Sequence, residues 1–149
     1  MIIIRKAKKQ DTSAIIGFQL EMAKETENLT LDIPVLENGV KNVFNNPQYG
    51  SYYVATDNKE IIASLMITFE WSDWRNAQIW WIQSVYIMPE YRSRGVFRKM
   101  YNYIQKLADE DKNVKGIRLY VDKKNAHAQK VYKKIGMNGE HYKLFEWIK

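Results

Sequence analysis

Two arginines and a glycine stand directly before a stretch of helical periodicity. They are Arg92, Arg94 and Gly95, in the segment "YRSRGVF" at residues 91–97. Arginine donates paired hydrogen bonds to phosphate oxygens, and glycine lets the backbone approach a ligand closely because it has no Cβ. The first turn of a helix adds N–H groups without intrahelical acceptors and the positive end of the helix dipole. Residues 92–97 therefore predict a site for a phosphate or a diphosphate.

The common phosphate-binding motifs do not account for this segment. The chain has no GxxxxGK[ST] sequence, which excludes a P-loop, and no GxGxxG fingerprint of a dinucleotide-binding fold. A short Arg-x-Arg-Gly segment also occurs where the arginines are only solvated. The segment needs support from the elements around it.

The amino-acid composition excludes several kinds of catalytic and metal-binding site. The chain has no cysteine and only two histidines, His127 and His141. Thiolate nucleophiles, disulfides and cysteine-based zinc sites are therefore excluded, and the histidine spacing matches no metal motif. The apolar run in "MIIIRKAKKQD" is too short for a signal peptide, and no stretch approaches the roughly 18 apolar residues of a membrane span. We expect a cytoplasmic protein with no membrane partner and no metal.

Charge is distributed unevenly along the chain. Residues 1–88 carry a net charge of −2, whereas residues 89–149 carry +8. A basic half is typical of proteins that bind polyanions, although a solvated lysine-rich surface gives the same count. The aromatic residues of the basic half recur at core spacing, and no nucleic-acid-binding motif is present. A nucleic acid is therefore not predicted as the partner.

Apolar periodicity and turn signals predict the elements that position the basic segment. A strand at 2–7 precedes a helix at 12–24 and a second helix after Pro34. A hairpin at 51–71, a strand at 79–87, a helix at 96–111 and a strand at 116–121 follow. A helix begins after Asn125, and a strand at 141–148 closes the chain. The strand–helix–strand unit requires a parallel strand pair. We therefore predict an α/β fold with a mixed sheet, in a single domain spanning 1–149.

Two motifs and this element order resemble the GCN5-related N-acetyltransferase (GNAT) family. The segment "VYIMPEYRSRGVF" at 85–97 is similar to the family's strand ending V-x-x-P and its R/Q-x-x-G-x-G/A motif. The second motif is matched by Asn125, Ala128, Tyr132, Gly136 and Met137. The order β-α-α-β-β-β-α-β-α-β fits the family from residue 2 to residue 148. The resemblance implies the GNAT fold, with a central parallel pair of strands that splay apart, and an N-acetyltransferase enzyme.

The resemblance also implies acetyl-CoA as the donor, bound mainly by the first motif. The positions that match the family's donor contacts are Ile87, Arg92, Arg94, Gly95, Val96, Phe97 and Asn125. Ile87 maps to the strand whose main chain meets the oxyanion. Phe97 departs from the pattern, because the family has a small residue there. Since Phe97 also belongs to the apolar set of the helix, we expect its ring to face the core.

For catalysis, Tyr132 matches the family's general acid, and a phenol with a pKa near 10 is protonated at neutral pH. Tyr132 also fits a core stripe with Val131 and Ile135. Glu70 is the first candidate for the general base and Glu21 is the second. Glu21, Trp71 and Gln83 are the candidates for binding the acceptor, because carboxylates and aromatic faces suit a cationic amine.

Several alternatives stay open at this point. The acceptor is a primary amine, but it could be a small amine, an amino-acid derivative or a protein amine. A non-catalytic sensor of acyl-CoA with the same fold is the alternative to an enzyme. The closing strand would also allow a homodimer.

Overall fold

The computed structural model describes residues 1–149, which form two compact units, Met1–Leu119 and Tyr120–Lys149. The first unit contains, in chain order, β1 (Ile2–Lys6), α1 (Thr12–Glu27), α2 (Ile33–Asn45), β2 (Ser51–Asp57), β3 (Glu60–Ser72), β4 (Ala77–Ile87), α3 (Val96–Glu110) and β5 (Val114–Leu119). The second unit contains α4 (Ala126–Lys134). None of the helices is both long enough and apolar enough to cross a bilayer.

The five strands form one mixed sheet in the order β1-β2-β3-β4-β5. The first three pairs are antiparallel, and β4 and β5 are parallel. Asn58 and Lys59 join β2 to β3 with φ angles of 47° and 73°, the left-handed pair that a two-residue hairpin requires. The predicted hairpin and the predicted parallel pair are both confirmed.

Helices cover both faces of the sheet. Successive strand residues point to opposite faces, and Tyr52 and Tyr53 of β2 show where each face packs. Tyr52 lies 5.7 Å from Phe44 of α2, between ring centroids, whereas Tyr53 lies 6.0 Å from Tyr103 of α3. One face therefore packs against α1 and α2, and the other packs against α3. The apolar stripe predicted for α3 is buried, with Val96, Phe97, Met100, Tyr101, Ile104 and Ala108 inside.

Strand β4 is irregular in its second half. Ser84 and Val85 lie opposite the single residue Leu65 of β3, since Gln83 pairs with Met66 and Tyr86 pairs with Ser64. This two-against-one arrangement is a β-bulge, and Ser84 has a φ of 53°. The parallel ladder with β5 ends at Ile82, although β4 continues to Ile87. Strand β5 itself ends at Leu119, the partner of Ile82, so residues 83–87 of β4 have no parallel neighbour in the ladder.

The predicted closing strand at 141–148 is wrong. These residues form no strand, and the element order ends with α4. A strand is stabilised by a neighbouring strand and by the packing of one face, so a favourable residue pattern is not sufficient. In this segment the large apolar side chains are mostly exposed, namely Tyr142, Leu144, Phe145, Trp147 and Ile148.

A buried carboxylate ties β1 to the start of α1. Asp11 is 3% exposed. Its two oxygens accept hydrogen bonds from Nη1 and Nη2 of Arg5 at 2.7 and 3.0 Å, and Oδ2 also accepts from the Lys8 N–H at 2.7 Å. The hydrogen bonds from Arg5 hold the pKa of Asp11 below its usual value, against the opposing effect of burial.

The lowered pKa predicts a loss of stability in acid. The ionised Asp11 carboxylate contributes its full stabilisation to the folded state above the unfolded-state pKa of about 4. This stabilisation is lost as the pH falls through the lower folded-state pKa. We expect Asp11→Asn to lower the free energy of unfolding at neutral pH by about 2 kcal/mol. The deficit relative to the wild type should shrink as the pH falls below about 4.

Urea unfolding at several pH values measures this deficit. Glu37→Gln is the control, because Glu37 forms only an exposed pair with Lys41 at 3.5 Å and should change stability by less than about 0.5 kcal/mol. A deficit for Asp11→Asn that stays constant with pH would contradict the assignment.

Candidate active site

The loop at residues 88–95 connects β4 to α3 through a tight turn. The Tyr91 N–H donates to the Met88 carbonyl at 2.9 Å, and the Arg92 N–H donates to the Pro89 carbonyl at 3.2 Å. Ser93 and Gly95 then adopt left-handed φ angles of 60° and 74°. The turn and these two residues bring the chain from the end of β4 into the first turn of α3.

Gly95 immediately precedes α3 and accepts its first backbone hydrogen bond, from the Lys99 N–H at 3.1 Å. A Cβ added at Gly95 would have no heavy atom within 4 Å. The backbone at this point is therefore open to an incoming group. The N-terminal end of a 15-residue helix offers that group N–H donors and a positive dipole.

The first two side chains of α3 lie in the core. Val96 is 1% exposed and Phe97 is 8% exposed. The Phe97 ring stacks on Tyr101, with 6.3 Å between ring centroids and 29° between ring planes. The expectation that Phe97 faces the core is confirmed.

The two arginines of the loop extend to different partners. Arg92 donates from Nε to the Ile87 carbonyl at 2.8 Å and from Nη2 to Oε2 of Glu25 at 2.8 Å. The Arg94 guanidinium lies 5.5 Å from the centroid of the Tyr91 ring. Arg92 therefore contacts the end of β4 and α1, whereas Arg94 contacts Tyr91 of its own loop.

Glu70 of β3 contacts side chains of both β4 and β5. Its Oε2 accepts from Nη1 of Arg118 on β5 at 2.7 Å and from Nε1 of Trp81 on β4 at 3.3 Å. The Arg118 guanidinium also lies 6.0 Å from the Trp81 ring centroid. This arrangement places an ionisable carboxylate beside an aromatic face.

Gln83 shares the sheet face of Glu70. Its Oε1 accepts from the Thr68 hydroxyl at 3.1 Å, and Thr68 precedes Glu70 by two residues on β3. Trp71 is next to Glu70 in sequence, so its side chain points to the opposite face, and it is 63% exposed. The structure therefore brings together two of the predicted residues, Glu70 and Gln83, and separates Trp71 from them.

The last turns of α1 carry acidic residues next to Tyr86. The Tyr86 hydroxyl donates to Oε1 of Glu25 at 3.3 Å, and its ring stacks on Phe18 with 5.1 Å between centroids. Burial raises the pKa of Tyr86, and the charges of Glu25 and Glu21 raise it further, while Arg92 lowers it. Glu21, a predicted acceptor residue, is therefore close enough to act on this phenol.

Three residues of this region were not selected as site residues from the sequence: Glu25, Tyr86 and Arg118. Two signals could have indicated Glu25 and Arg118, whereas no local signal indicates Tyr86. Glu21 and Glu25 are four residues apart and so share a face of α1, and Arg118 is a single charge inside the apolar segment "GIRLYV".

The second unit holds the other two predicted residues. Asn125 caps α4, because its Oδ1 accepts from the Ala128 N–H at 3.0 Å. The Gln129 side chain donates to the carbonyls of Asp122 and Lys123 at 3.2 and 3.0 Å, which secures the turn before the helix. Tyr132 lies half-buried on α4, and burial raises its pKa above the ordinary value near 10. Its phenol is therefore protonated at neutral pH.

A mixed sheet in which β4 extends past the end of its parallel neighbour β5, beside a glycine-containing loop that opens a long helix, is the arrangement of an acetyltransferase fold. The sequence model described as the Acetyltransferase (GNAT) family matches residues 19–137. The chain belongs to the GNAT acetyltransferase family, as its two motifs predicted, and it is an acetyltransferase enzyme.

Individual relatives agree with this assignment. A possible acetyltransferase from Clostridium difficile 630 is 42% identical, with a TM-score of 0.91 over 100% of this chain and 98% of that one. A thialysine N-epsilon-acetyltransferase from Bos taurus is 26% identical over 144 residues, which cover 91% of this chain and 83% of the relative. A predicted acetyltransferase from Clostridium acetobutylicum, solved with acetyl-CoA, shares the fold at 22% identity, a TM-score of 0.75 and coverage of 98% and 96%.

Proposed function

We propose that this acetyltransferase moves an acetyl group from acetyl-CoA to a primary amine by direct attack of the amine on the thioester. The observation that carries the proposal is the loop at 88–95. Its left-handed Gly95 leaves the N-terminal end of α3 open to a ligand, directly after a strand that has lost its parallel neighbour.

In this proposal the donor binds along the end of β4 and the start of α3. Backbone N–H groups of the first turn of α3, including that of Val96, hold the diphosphate. Arg94 and Asn125 supply further polar contacts, as the family motifs imply. Residues 83–87, which have left the parallel ladder, offer backbone groups to the pantetheine arm. The main-chain N–H at Ile87 donates to the oxyanion and stabilises it.

Starting from an alkylammonium, the nitrogen loses two protons, one before the attack and one as the tetrahedral intermediate becomes the amide, and the thiolate sulfur takes up one. An alkylammonium with a pKa near 10 is neutral in only about one molecule in a thousand at pH 7, so a base must take its proton. Glu70 is our candidate, and Glu21 is the second. The amine nitrogen attacks the carbonyl carbon, a tetrahedral oxyanion forms, and its collapse breaks the C–S bond. The thiolate leaves with the electron pair and receives a proton from the Tyr132 hydroxyl.

The acceptor side favours a cation. Glu21 and Glu25 project from α1 beside the Tyr86 ring, and Gln83 lies on the face of Glu70. Carboxylates combined with aromatic faces suit an ammonium group. The name of the bovine relative specifies an N-epsilon amine as its acceptor, which supports a primary amine here. Small amines, amino-acid derivatives and protein amines fit this chemistry equally.

Two measurements test the proposal. Calorimetry should detect binding of coenzyme A, and a thiol assay should detect faster release of coenzyme A from acetyl-CoA with at least one member of a panel of diamines, amino-acid derivatives and peptides. Binding without acceleration by any amine would favour the alternative of an acyl-CoA sensor. No binding of coenzyme A would overturn the proposal.

Glu70→Gln tests the base. We expect kcat/KM for the amine to fall by about tenfold at pH 7, less than the full range for a general base, because neutral amine from solution still reacts. The deficit should shrink as the pH approaches the amine's own pKa. Glu60→Gln, on the exposed start of the same strand, is the control. A deficit that does not change with pH would argue for a structural role of Glu70.

A further inference from the structure

We propose that Arg92 is a positioning residue that couples the donor loop at 88–95 to the end of α1, so that coenzyme A binding orders the acceptor side of the site. This inference rests on the proposed function and deepens it. Its starting point is a single side chain on the loop that contacts both the end of β4 and α1.

The guanidinium group is suited to this task. Arg92 uses Nε for the Ile87 carbonyl and Nη2 for Glu25, which is 67 residues away in sequence, and both distances are 2.8 Å. A planar fork of fixed donors can hold two acceptors in a defined relative position, whereas a lysine ammonium is a single point charge on a flexible stem. The position of Glu25 is therefore set relative to the last residue of β4.

Tyr86 reinforces the contact. The Arg92 guanidinium lies 5.4 Å from the Tyr86 ring centroid, and the Tyr86 hydroxyl donates to the other carboxylate oxygen of Glu25 at 3.3 Å. Phe18 of α1 also stacks on the Tyr86 ring. Both oxygens of Glu25 are thus engaged, and the contact is a network rather than an isolated surface ion pair.

The network connects the donor side of the site, at the loop 88–95, to the acceptor side, at the end of α1. Glu25 lies in the last turn of α1, which ends at Glu27 and is capped by Asn28 with a left-handed φ of 49°. A diphosphate at the start of α3 restricts the loop that carries Arg92, and the restriction passes through Arg92 to Glu25. By linkage, an amine bound against α1 must then raise the affinity for coenzyme A by the same factor.

Hydrogen–deuterium exchange with and without coenzyme A tests the coupling. In the wild type, coenzyme A should slow exchange both in the loop and α3 segment at 92–100 and at residues 22–28 of α1. In Glu25→Gln, protection at 92–100 should persist while protection at 22–28 falls by about fivefold. Glu37→Gln, which removes a carboxylate from an ion pair on α2, is the matched control and should behave as the wild type.

Two further variants and a kinetic readout complete the test. Arg92→Lys should reproduce the loss at 22–28, and Glu25→Asp, which keeps the carboxylate, should restore part of it. With an active amine, Glu25→Gln should raise KM for the amine by about fivefold and leave kcat within twofold. Wild-type protection at 22–28 in both Glu25→Gln and Arg92→Lys would overturn the coupling alone. Absence of protection at 92–100 in the wild type would overturn the coupling together with the proposed function.

Discussion

Replacing Tyr132 by phenylalanine is expected to lower kcat by about 100-fold or more and to leave the Kd for coenzyme A nearly unchanged. The substitution removes one hydroxyl and keeps the aromatic ring at this position of α4. A thiolate then has to leave without a proton donor, whereas the binding of the ground-state thioester does not depend on that proton. Stopped and continuous thiol assays give kcat, and calorimetry gives the Kd.

The pH dependence makes this prediction sharper. Burial raises the pKa of Tyr132, and an acid works only while it is protonated. The wild-type rate should therefore hold through neutral pH and decline only above about pH 10. Tyr132→Phe should lack this alkaline decline. Tyr49→Phe, at an exposed tyrosine, is the control, and equal kcat values for Tyr132→Phe and the wild type would exclude the acid role.

Gly95→Val should weaken coenzyme A binding by about 30-fold. A β-branched residue at a φ of 74° costs about 2 kcal/mol, which corresponds to a factor of about 30. The Cβ itself has no neighbour within 4 Å, so the cost arises from the backbone and not from a clash. A backbone that relaxes to avoid the strain moves the N–H groups that should hold the diphosphate.

Calorimetry and thermal unfolding of the same variant separate affinity from stability. Gly39→Ala, in the middle of α2 with nothing near its Cβ position, is the control and should raise stability by about 0.5 to 1 kcal/mol without changing the Kd. An unchanged Kd for coenzyme A in Gly95→Val would remove the loop from the donor site.

Local patterns explain why much of the fold could be predicted. The hairpin depends on two turn residues and flanking strands, and α3 depends on apolar spacing that also predicted the burial of Phe97. The parallel pair follows from the strand–helix–strand order. Each of these features is encoded within about twenty residues, where propensity and periodicity act directly.

The features that the sequence did not reveal depend on distant partners. Arg92 meets Glu25 across 67 residues, and Arg118 meets Glu70 across 48. Nothing in either local segment specifies the other. The segment at 141–148 has the same dependence on distant partners. Its residue pattern is typical of a strand, but the pattern does not specify a neighbouring strand with which it could pair. The candidate site was therefore predicted as separate residues, and its side-chain network was not.

The β-bulge at Ser84 and Val85 has a consequence for which side chains can cooperate. Before it, odd-numbered residues such as Trp81 and Gln83 point towards the α1 and α2 side, and after it the even-numbered Tyr86 does so, stacking on Phe18. The extra residue thus reverses the parity of the strand. With regular alternation and no bulge, Gln83 and Tyr86, which are three residues apart in sequence, would point to opposite faces, and the phenol would be turned away from Glu25. A single inserted position in β4 is what lets the strand present its glutamine and its tyrosine to the same side.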